Sequence, residues 1–199
     1  MNYLAHLFLA GKEEGMILGA LLEDYIVGGI ENERNKNLPS SVKNGLWLHR
    51  HIDSFTDTDP TVGEIKQLFY PGFGKYASVI VDVLLDHYLH RHWEGFAEED
   101  FTSFKDHVYT VLQSSYLDIQ PTGLKKMVAS MIEHDWLPNY IHLWGVERAF
   151  VSLNRRVKQV DLTSAMPVME AHYEKIDALF MEYFPRLKAS CEHKRYELS

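Results

Sequence analysis

In the stretch Leu48-His49-Arg50-His51-Ile52-Asp53-Ser54-Phe55-Thr56-Asp57, the residues His49, Asp53 and Asp57 recur every fourth position. On a helix that spacing stacks them on one face, so an imidazole and two carboxylates point the same way. An isolated His/Asp pair so spaced is more often a solvated stripe. Here Trp47, Leu48, Ile52 and Phe55 flank it with apolar bulk, and the arrangement recurs downstream. In Val81-Asp82-Val83-Leu84-Leu85-Asp86-His87-Tyr88-Leu89-His90, the residues Asp82, Asp86 and His90 share a face and His87 lies next to it. Carboxylates set among Ile80, Val81, Val83, Leu84 and Leu85 are expected to be partly buried. A buried carboxylate must be paired, hydrogen-bonded or metal-bound.

A metal ion satisfies several such groups at once. Imidazole and carboxylate donors without thiolate suit manganese, magnesium or iron better than a structural zinc site. An ion of that kind polarises a phosphoryl oxygen and makes a bound water more acidic, which points to phosphoester hydrolysis. Asp24, in Leu21-Leu22-Glu23-Asp24-Tyr25, is a third candidate acid at the end of an apolar run opened by Gly19, although alone such a residue is more often a helix-surface acid. His6 interrupts the apolar run Tyr3-Leu4-Ala5-His6-Leu7-Phe8-Leu9. It reads as a core histidine bonded to a backbone carbonyl, supporting the site rather than holding the ion.

The elements that must position these groups read as helices. Apolar residues recur at helical spacing in nearly every segment, and sustained period-two alternation is rare. Expected helices cover residues 3–10, 14–27, 41–58, 60–70, 75–96, 99–115, 122–136, 140–156 and 166–188. Pro39-Ser40, Asp59-Pro60 and Pro71-Gly72 mark boundaries, as do Pro121, Pro138 and Pro167. The polar segment from Gly28 to Asn37 reads as a surface loop. No linker rich in Gly or Ser and no internal repeat appears, so a chain of 199 residues is expected to form a single compact all-α domain.

Composition narrows the function classes. A hydrophobic fraction of 46% excludes a disordered chain. Cys191 is the only cysteine, so neither an internal disulfide nor a cysteine-based zinc site can form, and a reducing compartment is implied. No run reads as the roughly 18 apolar residues of a membrane span, and no basic residue opens the N-terminal apolar run as a signal peptide requires. The expectation is a cytoplasmic protein. Net charge is −8 with no basic block, which disfavours nucleic acid as a partner.

At these same residues the sequence resembles the acyl carrier protein phosphodiesterase family. The matching marks begin with Met1-Asn2-Tyr3-Leu4-Ala5-His6-Leu7 and Asp24 and continue through His49-Arg50-x-Ile52-Asp53-x-x-Thr56-Asp57. They run on through Asp82-x-x-x-Asp86-His87-x-Leu89-x-x-x-Trp93, Trp136-Leu137, Ala171-His172-Tyr173 and Phe184-Pro185-Arg186. The resemblance implies a helical domain similar to the HD-type metal phosphohydrolases with rearranged motif order. It implies a divalent ion, manganese foremost, and removal of 4′-phosphopantetheine from the serine of holo acyl carrier protein. Asp24, His49, Asp53, Asp86 and His87 would form or support the metal site, Asp57 and Asp82 would be nearby acids, and Arg50 would touch phosphate or pair with an acid on a neighbouring part of its helix. Phe8 stands where the family commonly has a histidine. The literal His134-Asp135 pair lies outside the matching marks and is read as coincidence.

An acidic carrier protein needs a cationic landing surface on a chain of this charge. Arg155, Arg156 and Lys158 form the first candidate cluster, and Lys125 with Lys126 the second. Two other readings stay open at this point: a metal phosphohydrolase acting on a small phosphoester or nucleotide, and a metal-free helical binding module. In the last, the tryptophans Trp93, Trp136 and Trp144 would be core or interface anchors.

Overall fold

The computed structural model describes residues 2–199, and all regular structure in them is helical, as the apolar periodicity predicts. The elements are α1 (Tyr3–Ala10), α2 (Glu14–Leu22), α3 (Ser40–Thr58), α4 (Pro60–Phe73), α5 (Ala77–Arg91) and the short α6 (Trp93–Phe96). They continue with α7 (Phe101–Ser114), α8 (Thr122–Glu133), the short α9 (Trp136–Asn139), α10 (Leu143–Leu153), the short α11 (Met166–Ala171) and α12 (Tyr173–Leu198). One buried apolar cluster extends from Leu4 to Cys191 and takes in side chains from nearly every helix.

The central feature is the contact of α2 with α3. A Cβ on Gly19 would stand 2.3 Å from the Val42 carbonyl oxygen, and one on Gly45 would stand 2.6 Å from that of Met16. The two backbones therefore touch, and only glycine fits at the crossing. Gly15 meets Ser41 near one end of the pair, while Ala20 meets His49 further along, so the helices run in the same direction. A parallel pair requires the chain to travel back before α3 begins, and the polar segment read as a loop makes that return. Its hinge is closed by Asn35, whose side-chain amide donates to the Gly29 carbonyl at 2.9 Å. Helix α1 lies against α2, α3, α5 and α12.

Several boundaries differ from expectation: α2 ends at Leu22 in a 3₁₀ turn, α10 covers only Leu143–Leu153, and His172 divides the segment expected over 166–188 into α11 and α12. Helix α4 runs through Pro71 to Phe73 and stops at Gly74, whose φ of +51° ends the helix. Helix α5 breaks at His92 before Trp93, so the long segment expected to reach residue 96 is two helices. Helix α12 runs past residue 188 to Leu198, carrying Pro185 inside it, because Phe184, Leu187 and Cys191 are all buried. The stretch Pro60–Arg91 is also long and apolar enough to span a membrane by length and composition, with a mean hydropathy of 1.3 in its most apolar window. Its apolar side chains Ile80, Val81, Leu84, Leu85 and Leu89 pack inside the protein, which accounts for that composition as a core helix.

Candidate active site

Helices α1 and α3 and the turn after α2 bring five ligand-bearing side chains together. The glycine crossing sets Ala20 beside His49, whose Nδ1–H donates to the Ala20 carbonyl oxygen at 2.7 Å. That bond fixes the ring and turns Nε2 towards Asp53, 3.1 Å from Oδ2. His6 stacks on His49 with ring centroids 4.0 Å apart, and its Nε2 lies 3.2 Å from the other Asp53 oxygen, Oδ1. The 3₁₀ turn Glu23–Tyr25 adds two carboxylates on the far side, with Glu23 Oε2 3.9 Å and Asp24 Oδ1 4.0 Å from the same His49 nitrogen. Both imidazoles are buried, whereas the Asp24 and Asp53 side chains are 57% and 44% exposed. The cluster is thus rooted in the core and open to solvent on its acidic side.

Electrostatics separate the two histidines. Burial pulls His6 down to about 3 against the lift from Asp53, so it is neutral at physiological pH. Burial also lowers His49, but the hydrogen bond and charge of Asp53, together with the Ala20 carbonyl, outweigh it and the net shift is upward. Asp53 is raised by burial and lowered more strongly by hydrogen bonds from both imidazoles, which hold it well below the usual carboxylate range. Asp24 shifts upward through burial and the neighbouring charges of Asp53 and Glu23. His6 Nδ1 is buried without a hydrogen-bond partner.

These residues fit a divalent cation. His6, His49 and Asp53 each offer a donor atom within 4.8 Å of the others, and Glu23, Asp24 and His49 form a second such group. With Nδ1 committed to a carbonyl, His49 Nε2 faces three carboxylates, an arrangement stable only with a proton or a cation between them. The donors are imidazole and carboxylate without thiolate, the set suited to manganese, magnesium or iron.

Comparison with known proteins places the chain in a phosphodiesterase family. Residues 1–187 match the family model described as acyl carrier protein phosphodiesterase. The chain belongs to the acyl carrier protein phosphodiesterase family. A relative of that name from Yersinia pestis is 29% identical over 98% of this chain and 100% of its own length. Another of the same name from Escherichia coli O139:H28 is 30% identical over 98% of this chain and 99% of its own. No solved structure matches.

Of the acyl carrier protein phosphodiesterase residues expected at the site, the structure gathers Asp24, His49 and Asp53. None of Asp57, Asp82, Asp86 or His87 belongs to either ligand group. Asp57, one turn beyond Asp53, accepts from the buried Lys66 ammonium at 2.9 Å. Asp86 is fully buried and accepts from the backbone N–H groups of Leu4 at 2.8 Å and Ala5 at 3.1 Å. It caps the first turn of α1, where no side chain of the helix's own does so, and thereby fixes the helix that carries His6. Burial raises the Asp86 carboxyl to about 7. His87 bonds the Tyr140 carbonyl through Nδ1 and the Tyr173 hydroxyl through Nε2, both at 2.7 Å. Arg50 donates from Nε to Glu23 at 2.7 Å and lies over Trp47.

Sequence reasoning undervalued His6 and Glu23. His6 makes no carbonyl bond of the kind expected; it faces Asp53 and His49 instead. The signal available was an imidazole in an otherwise apolar helix, which needs a buried partner. Glu23 adjoins Asp24 and is aimed by Arg50. His134 and Asp135 stand apart from the cluster, with Asp135 3.7 Å from Lys105, in keeping with the reading of that pair as coincidence.

Proposed function

We propose that this chain, acting as one domain, hydrolyses the phosphodiester joining 4′-phosphopantetheine to a serine of holo acyl carrier protein, releasing apo carrier protein and free 4′-phosphopantetheine. The observation that carries the chemistry is the convergence of His6, His49 and Asp53, with Glu23 and Asp24 on the same His49 nitrogen. Family membership supplies the substrate. A divalent cation, manganese first with magnesium or iron as alternatives, would be held by His6, His49 and Asp53 with Glu23 or Asp24. Such an ion provides Lewis acidity at a phosphoryl oxygen and lowers the pKa of a water it binds.

The chain's own residues do the rest. The Ala20 carbonyl and the stacked His6 ring keep His49 in one tautomer and orientation. Asp24, more than half exposed beside His49, would carry the proton that the departing serine oxygen requires where Glu23 rather than Asp24 completes the metal site. Arg50 is fixed by Glu23 through Nε alone, which leaves its terminal nitrogens for a phosphoryl oxygen. A carrier-protein substrate and a buried lone thiol at Cys191 support a cytoplasmic setting. The relation to HD-type phosphohydrolases is supported by helices presenting histidines and acids to one centre.

The test follows the intact mass of holo carrier protein incubated with the purified chain and manganese. Loss of the phosphopantetheine mass by wild type, and its absence with His49→Ala, Asp53→Asn or a chelator, is the expected result. A metal-loaded sample that leaves holo carrier protein intact would move the assignment to a small phosphoester. A chain that binds no divalent ion would remove the metal centre.

A further inference from the structure

Residues 143–158 carry Arg148, Arg155, Arg156 and Lys158 against the single acid Glu147, in a chain whose net charge is −8. Helix α10 is anchored on one side by Val146 and Phe150, both fully buried, and by Gly145, where a Cβ would stand 1.9 Å from the Asn139 carbonyl oxygen. Its opposite side is bare. Trp144 and Val151 are 52% and 50% exposed, and Trp144, Arg148, Val151 and Arg155 fall at the spacing of one helical face. The turn after α10 keeps Arg155 in line, since its N–H donates to the Ser152 carbonyl and that of Arg156 to Leu153. Arg148, Arg155 and Arg156 form no ion pair among the described residues, whereas Arg50, Arg91 and Arg186 are all paired. Tryptophan and arginine alternating with an aliphatic side chain on an open helix face is the composition of a protein-binding hot spot.

Arg148, Val151 and Arg155 of this face also form one wall of a cleft of about 410 Å³, whose other lining includes Tyr3, Trp136 and Arg156. Its Tyr3 wall belongs to the helix that carries His6. Tyr3 is three residues before His6 on α1, Tyr25 packs against Gly123 at the start of α8, and Asp24, Tyr25 and Arg156 all act on the Tyr3 hydroxyl. Tyr3 thus stands between the cleft beside α10 and the Asp24 side of the cluster.

We propose that the Trp144–Arg148–Val151–Arg155 face of α10 docks an acidic, amphipathic face of the protein substrate and directs its phosphodiester through the cleft to Asp24 and His49. This rests on the carrier-protein reading above and adds the surface that recognises the protein part of the substrate. Lys125 and Lys126, the other cationic pair, lie on exposed positions of α8 without an exposed large apolar side chain beside them. Sequence alone groups Arg155 with Arg156 and Lys158; the structure adds Arg148 and Trp144 and sets Arg148, Arg155 and Arg156 along the cleft wall.

The test titrates the full chain with apo carrier protein, which contains no diester to cleave, and measures turnover of the holo form separately. The Arg148→Glu/Arg155→Glu double reversal is expected to weaken apo carrier binding and raise the holo KM by about tenfold or more, and Trp144→Ala by several-fold. Lys175→Glu, an equal change of charge per site on the exposed start of α12, is expected to alter neither by more than about twofold. Thermal melts matching wild type secure the comparison, and the milder Arg148→Gln/Arg155→Gln pair serves if the reversal melts early. Wild-type affinity in the folded double variant overturns the proposal, as does displacement of the carrier protein by an equal concentration of single-stranded oligonucleotide. Cleavage of holo carrier protein that is indifferent to the double reversal removes the docking surface and leaves the activity. Binding that the reversal abolishes, in a chain that never cleaves, supports the surface and removes the activity.

Discussion

Replacing Gly45 by alanine tests the central packing of the molecule and its link to the site. The added Cβ would stand 2.6 Å from the Met16 carbonyl oxygen and 2.8 Å from Gly19 Cα, where ordinary contact begins at 3.4 Å. Both neighbours are backbone, so no side chain can swing aside and α2 and α3 must part by about 0.8 Å. The His49 Nδ1 to Ala20 bond, now 2.7 Å, would lengthen towards the limit of a hydrogen bond. Overpacking costs about 1–3 kcal/mol, and weakening a bond to a buried ring adds about 1 kcal/mol. Against this, alanine gains about 1 kcal/mol over glycine in a helix interior. Net destabilisation of about 1–3 kcal/mol is expected in urea unfolding, together with a fall in holo carrier turnover of roughly tenfold to a hundredfold from the displaced imidazole. Gly63→Ala in α4 is the control, because its Cβ meets nothing within 4 Å. That variant should gain up to about 1 kcal/mol and keep full turnover. A Gly45→Ala protein as stable and as active as wild type would refute the claim that these backbones touch.

Asp86→Ala strips two buried N–H groups of their acceptor and should cost about 2–5 kcal/mol, with Asp86→Asn, which keeps one carbonyl oxygen, in between; thermal unfolding reads the difference. Asp57→Asn is expected to leave turnover within about threefold and to lower stability by about 1 kcal/mol, because its carboxylate serves Lys66; a collapse of turnover at unchanged stability would return Asp57 to the catalytic set. His90 lies against Phe101 with ring centroids 3.9 Å apart and planes tilted by 47°, neither of its ring nitrogens has a hydrogen-bond partner among the described residues, and burial pulls it down to about 4. The unfolded chain binds that proton near 6.5, so stability falls as pH drops from about 6.5 towards 4, by about 1–2 kcal/mol after allowance for partial exposure. His90→Phe should flatten that part of the stability profile, and an unchanged slope would exclude His90 as its source.

The helical class and most helix starts are legible in the sequence, because apolar side chains recur at 3.6-residue spacing and proline or an acid stands at the boundaries. Asp59, for example, ends α3 and caps α4. Helix ends are less legible: α12 passes Pro185 because buried aromatics on either side hold it. At the site, local spacing identified His49 with Asp53 on one face of α3. The same rule placed Asp57 with them, but a buried lysine from α4 draws that carboxylate away. Asp86 was correctly expected to be buried, yet the partner that satisfies it is a helix N-terminus 82 residues away in sequence. His6 lacked any local companion; its role depends on α1 crossing α3, which no single-segment pattern contains.

Helix α1 is held at both ends by distant parts of the chain. Asp86 of α5 takes its first N–H groups, and Arg195, near the end of α12, donates to the Leu9 carbonyl at its last turn. The same end of α12 receives Asn44 of α3 at the Leu198 carbonyl, 2.7 Å away. During synthesis, then, residue 6 emerges early and waits for residue 195 before its helix is clamped, so the nascent chain has the ligands of its site long before it has their geometry. A chain lacking α12 would carry histidines and carboxylates that remain unassembled, and hydrolytic competence would wait for that helix.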